Sequence, residues 1–173
     1  MKKYFQLLFA GLFVVGFILA SIYLKNRQIL SPYNSDNNSI DQETKEGKVK
    51  TAKIEIGEKT ITAEVADNDK TRELGLSFRT KLDGSSGMLF VFDSYVTPFF
   101  WMKDMQIPLD MIWIRDDMVI DFDENVPIPN PGTELNLLPK YSPREIVNYV
   151  LEVNAGFVKE NGVKVGDGVI INF

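Results

Sequence analysis

The chain has 173 residues and contains no cysteine and no histidine. A Ser-His-Asp triad, a thiol nucleophile, a histidine zinc site and a disulfide framework are therefore excluded. No Cys follows the N-terminal apolar run, which excludes a lipid-modified N-terminal cysteine. A metal would have to be a hard cation on oxygen ligands or a copper ion on thioethers. Positive charge is scarce as well. Setting aside Lys2, Lys3, Lys25 and Arg27, the 19 Lys and Arg fall to 15 against 24 Asp and Glu, a net −9 beyond residue 27. So acidic a domain has no electrostatic footprint for nucleic acid, and anionic lipid headgroups repel it. No glycine pattern cradles a phosphate ahead of a helix, so nucleotide binding has no support and no cofactor is expected.

What is present divides the chain into three parts. Residues 7–24, LLFAGLFVVGFILASIYL, carry no charge and follow the basic start Met1-Lys2-Lys3. As a helix this run is about 27 Å long, close to the hydrocarbon thickness of a bilayer. Residues 1–27 therefore read as a membrane anchor, with a cleaved signal peptide as the alternative. The run is longer than the roughly 7–15 residues of a signal core, and Ile18 spoils the small-residue cleavage pattern before Ala20 and Ser21. Lys2 and Lys3 favour a cytoplasmic N-terminus, although Lys25 and Arg27 weaken the asymmetry. The expected location is a single-pass cell membrane protein with its domain on the extracytoplasmic side, or a secreted or periplasmic domain after cleavage. Residues 28–47 are polar and cannot bury enough surface to offset ordering, so they read as a tether. Residues 48–173 suffice for one domain with its own core.

That domain reads as mainly β. Residues 50–56 and 60–66 alternate polar and apolar around Gly57-Glu58-Lys59, a hairpin pattern. A short helix is expected over residues 69–74, capped by Asp67 or Asn68 and ending near Gly75. Strands are expected over residues 87–92, 99–103, 109–115, 118–122, 145–153 and 168–172, with a helical turn over 155–161. Met111-Ile112-Trp113-Ile114 is apolar without alternation, as in a strand covered on both faces. Five prolines between residues 127 and 143 make that stretch a loop. The sum is a compact antiparallel β-sandwich or barrel with one or two short helices.

Several of these segments match a known family in order: Arg72-Glu73-Leu74-Gly75-Leu76 with Arg79, Gly87-Met88-Leu89-Phe90, Phe100-Trp101-Met102-Lys103, Ile107-Pro108-Leu109-Asp110, Leu151-Glu152-Val153-Asn154-Ala155-Gly156, and Gly166-Asp167. Over about residues 54–173 the chain resembles the domain of unknown function 192 family of bacterial and archaeal proteins, which often carry an export signal. The resemblance implies a single β-rich domain of jelly-roll-like topology and no settled activity. Ser77 departs from the family, which commonly has Met there.

Residues 87–110, GMLFVFDSYVTPFFWMKDMQIPLD, hold the densest aromatic cluster and two isolated charges, Lys103 and Asp110. Charges within apolar runs need partners or a task, because an unpaired buried charge is costly. Arg72, Arg79, Lys103, Asp110 and Glu152 are the five charges in question. One reading makes them ion pairs that fix strand register. The other makes them, with Trp101, a cleft for a small polar or anionic ligand, with Phe99 and Tyr95 as further stacking faces. The expected role is a binding or accessory module of the cell envelope, taking a small molecule, glycan or protein as partner. The alternative is a carboxylate-dependent hydrolase of an envelope glycan, with Asp110 and Glu152 as acid and base.

Two metal patterns are weak. Asp121, Asp123 and Asn125 have the spacing of a calcium-loop start, but Val126 stands where the loop needs Gly, and Gly132 where it needs Glu. Met88, Met102, Met105, Met111 and Met118 could bind copper(I) only if three thioethers converged, and Met is common core filler. No metal site is expected.

Overall fold

The computed structural model describes residues 49–173. The expected anchor (residues 1–27), the whole of the tether (28–47) and residue 48 lie outside the described residues. Among the described residues no helix is long and apolar enough to cross a membrane.

Seven strands form one sheet: β1 (Thr51–Ile56), β2 (Lys59–Ala66), β3 (Ser86–Val96), β4 (Leu109–Arg115), β5 (Met118–Val126), β6 (Val147–Asn154) and β7 (Val169–Asn172), in the order β5-β4-β6-β3-β2-β1-β7. Two short helices interrupt them, α1 (Asp69–Leu74) and α2 (Phe157–Asn161), along with a 3-10 turn at Leu135–Leu137. The sheet curls until its edges approach. Met118 bridges Gly168, and the Val119 and Val169 amides donate to the Asp167 and Asp117 carbonyls. The result is a half-barrel: the mainly β fold with two short helices is present as one curled sheet, not as the two packed sheets of a sandwich or jelly roll.

One pairing departs from the antiparallel expectation. β2 and β3 run parallel, with Glu64 beside Met88 and Ala66 beside Phe90. The physical cause is α1: a crossover through a helix returns the chain to the same end of the sheet, which a tight turn cannot do. Asn68 caps α1 by accepting from the Thr71 amide at 3.0 Å, while Thr71 Oγ1 accepts from the Asn68 amide, a reciprocal capping box.

Strand periodicity sorts the apolar side chains into two clusters. The first draws on all seven strands, with Ile54, Ile61, Leu89, Ile112, Val119, Leu151 and Val169 among them, and α2 adds Phe157 and Val158. The second lies on the opposite face and includes Met88, Phe90, Met111, Trp113 and Val150, covered by Leu76, Met102 and Ile107. β4 feeds both clusters at alternate residues and is buried from Leu109 to Ile114, as a strand covered on both faces must be.

The expected strand at residues 99–103 does not form. Phe100 makes one two-way bridge with Tyr141, and the rest of the segment has no sheet partner among the described residues. Pro98 and Pro108 bracket it, and Asp104 adopts a left-handed conformation with φ 57°. Its alternation nevertheless persists: Met102 is buried and Phe100 half-buried, while Phe99 and Trp101 point outward. The segment covers the second cluster instead of extending the sheet.

Candidate functional site

A transverse row crosses the covered outer face of the sheet. Glu64 on β2 is beside Met88 on β3, Met88 opposite Glu152 on β6, Glu152 opposite Met111 on β4, and Met111 opposite Asp123 on β5. Three acids thus alternate with two methionines. The outer two acids are supplied with donors. Arg79 Nη1 and Nη2 donate to the two Glu64 oxygens at 2.5 and 2.6 Å, and this hydrogen bonding holds the Glu64 carboxyl below, and the Arg79 guanidinium above, their usual ranges. The Trp113 indole donates to Asp123 Oδ2 at 2.9 Å, although burial still raises that carboxyl.

Glu152, between them, has no donor among the described residues. It is 5% exposed, and burial alone pushes its carboxyl up to about 8. The carboxyl opens into a cleft of about 360 Å³ between α1 and the 97–108 segment. Phe90, Phe92, Phe99, Phe100 and Trp101 supply its aromatic walls, with Arg72, Glu73 and Lys103 as the charged groups. Phe90 and Phe100 meet edge to face at 4.8 Å, and Phe100 meets Trp113 the same way at 5.5 Å. Phe100 is thereby fixed, while Trp101, 45% exposed, stands free beside the opening.

The two cations of the cleft are already engaged. Arg72 donates to the Val91 carbonyl at 2.8 Å and to Asp69 at 2.7 Å, with its guanidinium 5.5 Å from the centre of the Phe92 ring. Lys103 donates to Asp104 at 2.7 Å, which raises the ammonium above its usual range.

Of the six residues singled out from the sequence, Arg72, Trp101, Lys103 and Glu152 line one cleft. Arg79 is not among the lining residues and is spent on Glu64. Asp110 lies elsewhere too. It is opposite Val153 where Met111 is opposite Glu152, so the two carboxylates point to opposite faces of the sheet. Asp110 is fully buried and accepts three backbone amides: Asn125 at 2.7 Å and Gly156 at 3.1 Å on one oxygen, Val158 at 2.8 Å on the other. It ties the end of β5 and the start of α2 to β4. Of the further stacking faces, Phe99 lines the cleft, whereas Tyr95 is outside it and donates its hydroxyl to Asp116 at 2.7 Å. Phe90 and Phe92 went unnoticed in the sequence, although alternation along β3 places both on the face of Met88.

The weak metal patterns have structural positions. Asp121 accepts from the Phe122 and Arg144 amides, and Asp123 holds the Trp113 indole. Met88, Met102 and Met111 are buried in the second cluster, Met105 packs against it, and Met118 is exposed at the far end of β5. A second depression, of about 700 Å³ near α2, collects Glu55, Glu58, Asp117, Glu160 and Asp167. Among the described residues no three acids are close enough to share a metal ion.

A curled half-barrel whose helix and extended segment enclose an aromatic cleft over one unpaired acid defines the architecture. The chain belongs to the domain of unknown function 192 family (DUF192, an uncharacterized ACR), whose model matches residues 49–171. Its fold is similar to a crystal structure described as a "putative transcription regulator" from Sinorhizobium meliloti 1021, at 31% identity and TM-score 0.64, over 71% of this chain and 95% of that one. It is also similar to a protein of unknown function from Novosphingobium aromaticivorans DSM 12444, at 26% identity and TM-score 0.60, over 70% and 84% of the two chains. No curated protein matches the sequence.

Proposed function

We propose that the domain is a small-ligand-binding module held at the outer face of the cell membrane by residues 1–27. The observation that carries the binding role is Glu152, a buried carboxyl that meets no protein donor and opens into an aromatic cleft. Burial holds this carboxyl in its neutral form, and a ligand entering the cleft can supply the partner it lacks. The uncharged run at residues 7–24 and the polar tether support the location.

A hydrolase acting through Asp110 and Glu152 draws no support from this arrangement. The two point to opposite faces, and Asp110 is saturated by backbone amides. The description of the Sinorhizobium protein as a regulator of transcription finds no support in the charge of this chain, a net −9 beyond residue 27.

The test uses the full chain in neutral detergent micelles. Thermal shift against a panel of amines, sugars and carboxylates is expected to yield ligands that raise the Tm of the wild type. Trp101→Ala, at a half-exposed position, should melt within about 2 °C of wild type and lose that response. Ligands that stabilise both proteins equally, or a panel without effect, would remove the cleft from consideration.

A further inference from the structure

We infer that the cleft takes an organic cation, whose ammonium or guanidinium group sits on the Glu152 carboxylate while its apolar part lies against Phe90, Phe100 and Trp101. This deepens the ligand-binding reading and rests on it.

Three independent observations point the same way. The first is the inventory of unused groups. The sequence suggested a small polar or anionic ligand because Arg72, Arg79 and Lys103 were in view, but Arg79 is spent on Glu64 and the two cations of the cleft each face a carboxylate, Asp69 and Asp104. The two charged groups of the cleft in no salt bridge among the described residues are both acids, Glu73 at its α1 wall and the buried Glu152, so the missing partner is a cation. The second is the walls. Aromatic faces attract cations through their quadrupole, and this region already uses that contact twice, with Arg72 over Phe92 and Lys140 over Phe99 at 5.8 Å. The third is the field of the domain. Residues 48–173 hold 14 Lys and Arg against 20 Asp and Glu, a net −6 that concentrates cations and repels anions at any concave surface.

The groups facing Glu152 also fix how binding responds to pH. From α1 these are Arg72 and Glu73, and from the 97–108 segment Lys103, both cations being paired. Its strand neighbours Met88 and Met111 do not titrate, and the next acids along the row, Glu64 and Asp123, are held by Arg79 and Trp113. In the empty cleft burial keeps the Glu152 proton on up to about pH 8. A cation that replaces that proton releases it to solvent, so cation affinity rises with pH and levels off above about 8. A ligand accepting a hydrogen bond from the protonated acid would show the reverse.

The experiment compares probes that share one aromatic body and differ in charge: phenethylamine and benzylguanidine, phenethyl alcohol, and phenylacetate. Each is titrated into the full chain in neutral micelles by calorimetry and by tryptophan emission, to which Trp101 and Trp113 both contribute. At pH 8.5 the two cations should bind at least about tenfold more tightly than the alcohol, with phenylacetate weakest. Cation affinity should fall about tenfold per pH unit below pH 7, with close to one proton released per cation at pH 7 in buffers of different ionisation enthalpy. Glu152→Gln, which keeps the shape of the protonated acid, should remain folded and lose both the cation preference and its pH dependence. Tighter binding of phenylacetate or the alcohol, a pH-independent cation affinity, or an unchanged preference in Glu152→Gln would overturn the cation assignment and leave the cleft standing. If no probe binds, the cleft reading falls and the cation assignment with it.

Discussion

Glu152→Gln should make the protein more stable, which is the opposite of what most buried substitutions do. The folded carboxyl titrates near 8 and the unfolded one near 4.5. Below pH 4.5 both states hold the proton and Glu152 costs little. Between 4.5 and 8 the unfolded chain releases its proton and the folded chain does not, so the unfolded state binds fewer protons and stability falls as pH rises. The slope is about 1.4 kcal/mol per pH unit, so about 3 kcal/mol is missing at pH 7 and about 5 kcal/mol above pH 8. Gln has the size of the protonated acid and cannot ionise, so it removes this loss. The variant is expected to match wild type at pH 4.5 and to exceed it by about 3 kcal/mol at pH 7, roughly 10 °C in Tm for a domain of this size. Urea unfolding of both proteins at half-unit intervals from pH 4.5 to 9 measures the difference. A difference that stays flat over that range, or a Gln variant that is less stable at pH 8, would show that Glu152 is solvated or paired and would refute the reasoning.

Two further substitutions test the frame around the cleft. Asp110→Asn leaves one acceptor oxygen where three amides share two, and turns an NH2 group towards a donor; it should cost about 3 kcal/mol in urea unfolding and speed amide exchange at Val158, and an unchanged midpoint would contradict the bonding described. Gly87→Ala should cost about 3 kcal/mol as well, because the new Cβ would lie 2.7 Å from the Glu152 carbonyl oxygen and 3.2 Å from Val153 Cγ1. Backbone on a central strand pair cannot withdraw cheaply, so a wild-type denaturation midpoint for that variant would mean that β3 and β6 are not so closely apposed.

Local elements were legible where a local rule governs them. Alternation gave the β1–β2 hairpin, Asn68 and Gly75 bracketed α1, and the non-alternating run in β4 announced a strand buried on both faces. Residues 99–103 misled because their alternation is genuine while their sheet partners are absent. Side-chain direction is a property of any extended chain, whereas strand pairing depends on what passes alongside. The parallel β2–β3 pair was missed because strand direction depends on where α1 delivers the chain.

The site divides along the same line. The linear order of residues already places Glu152 among apolar strand residues, crowds aromatics into residues 87–110 and rules out Cys and His chemistry. Which charges meet depends on the folded arrangement of the strands. It gave Arg79 to Glu64, saturated Asp110 with amides on the opposite face, and left Glu152 alone beneath Phe100 and Trp101. The physical reason is register. Asp110 and Glu152 belong to strands whose mutual offset is set by hydrogen bonds between segments about forty residues apart, and a shift of one residue would put both on the same face. Residue type shows that a carboxylate needs a partner; the partner's identity is fixed by pairings remote in sequence.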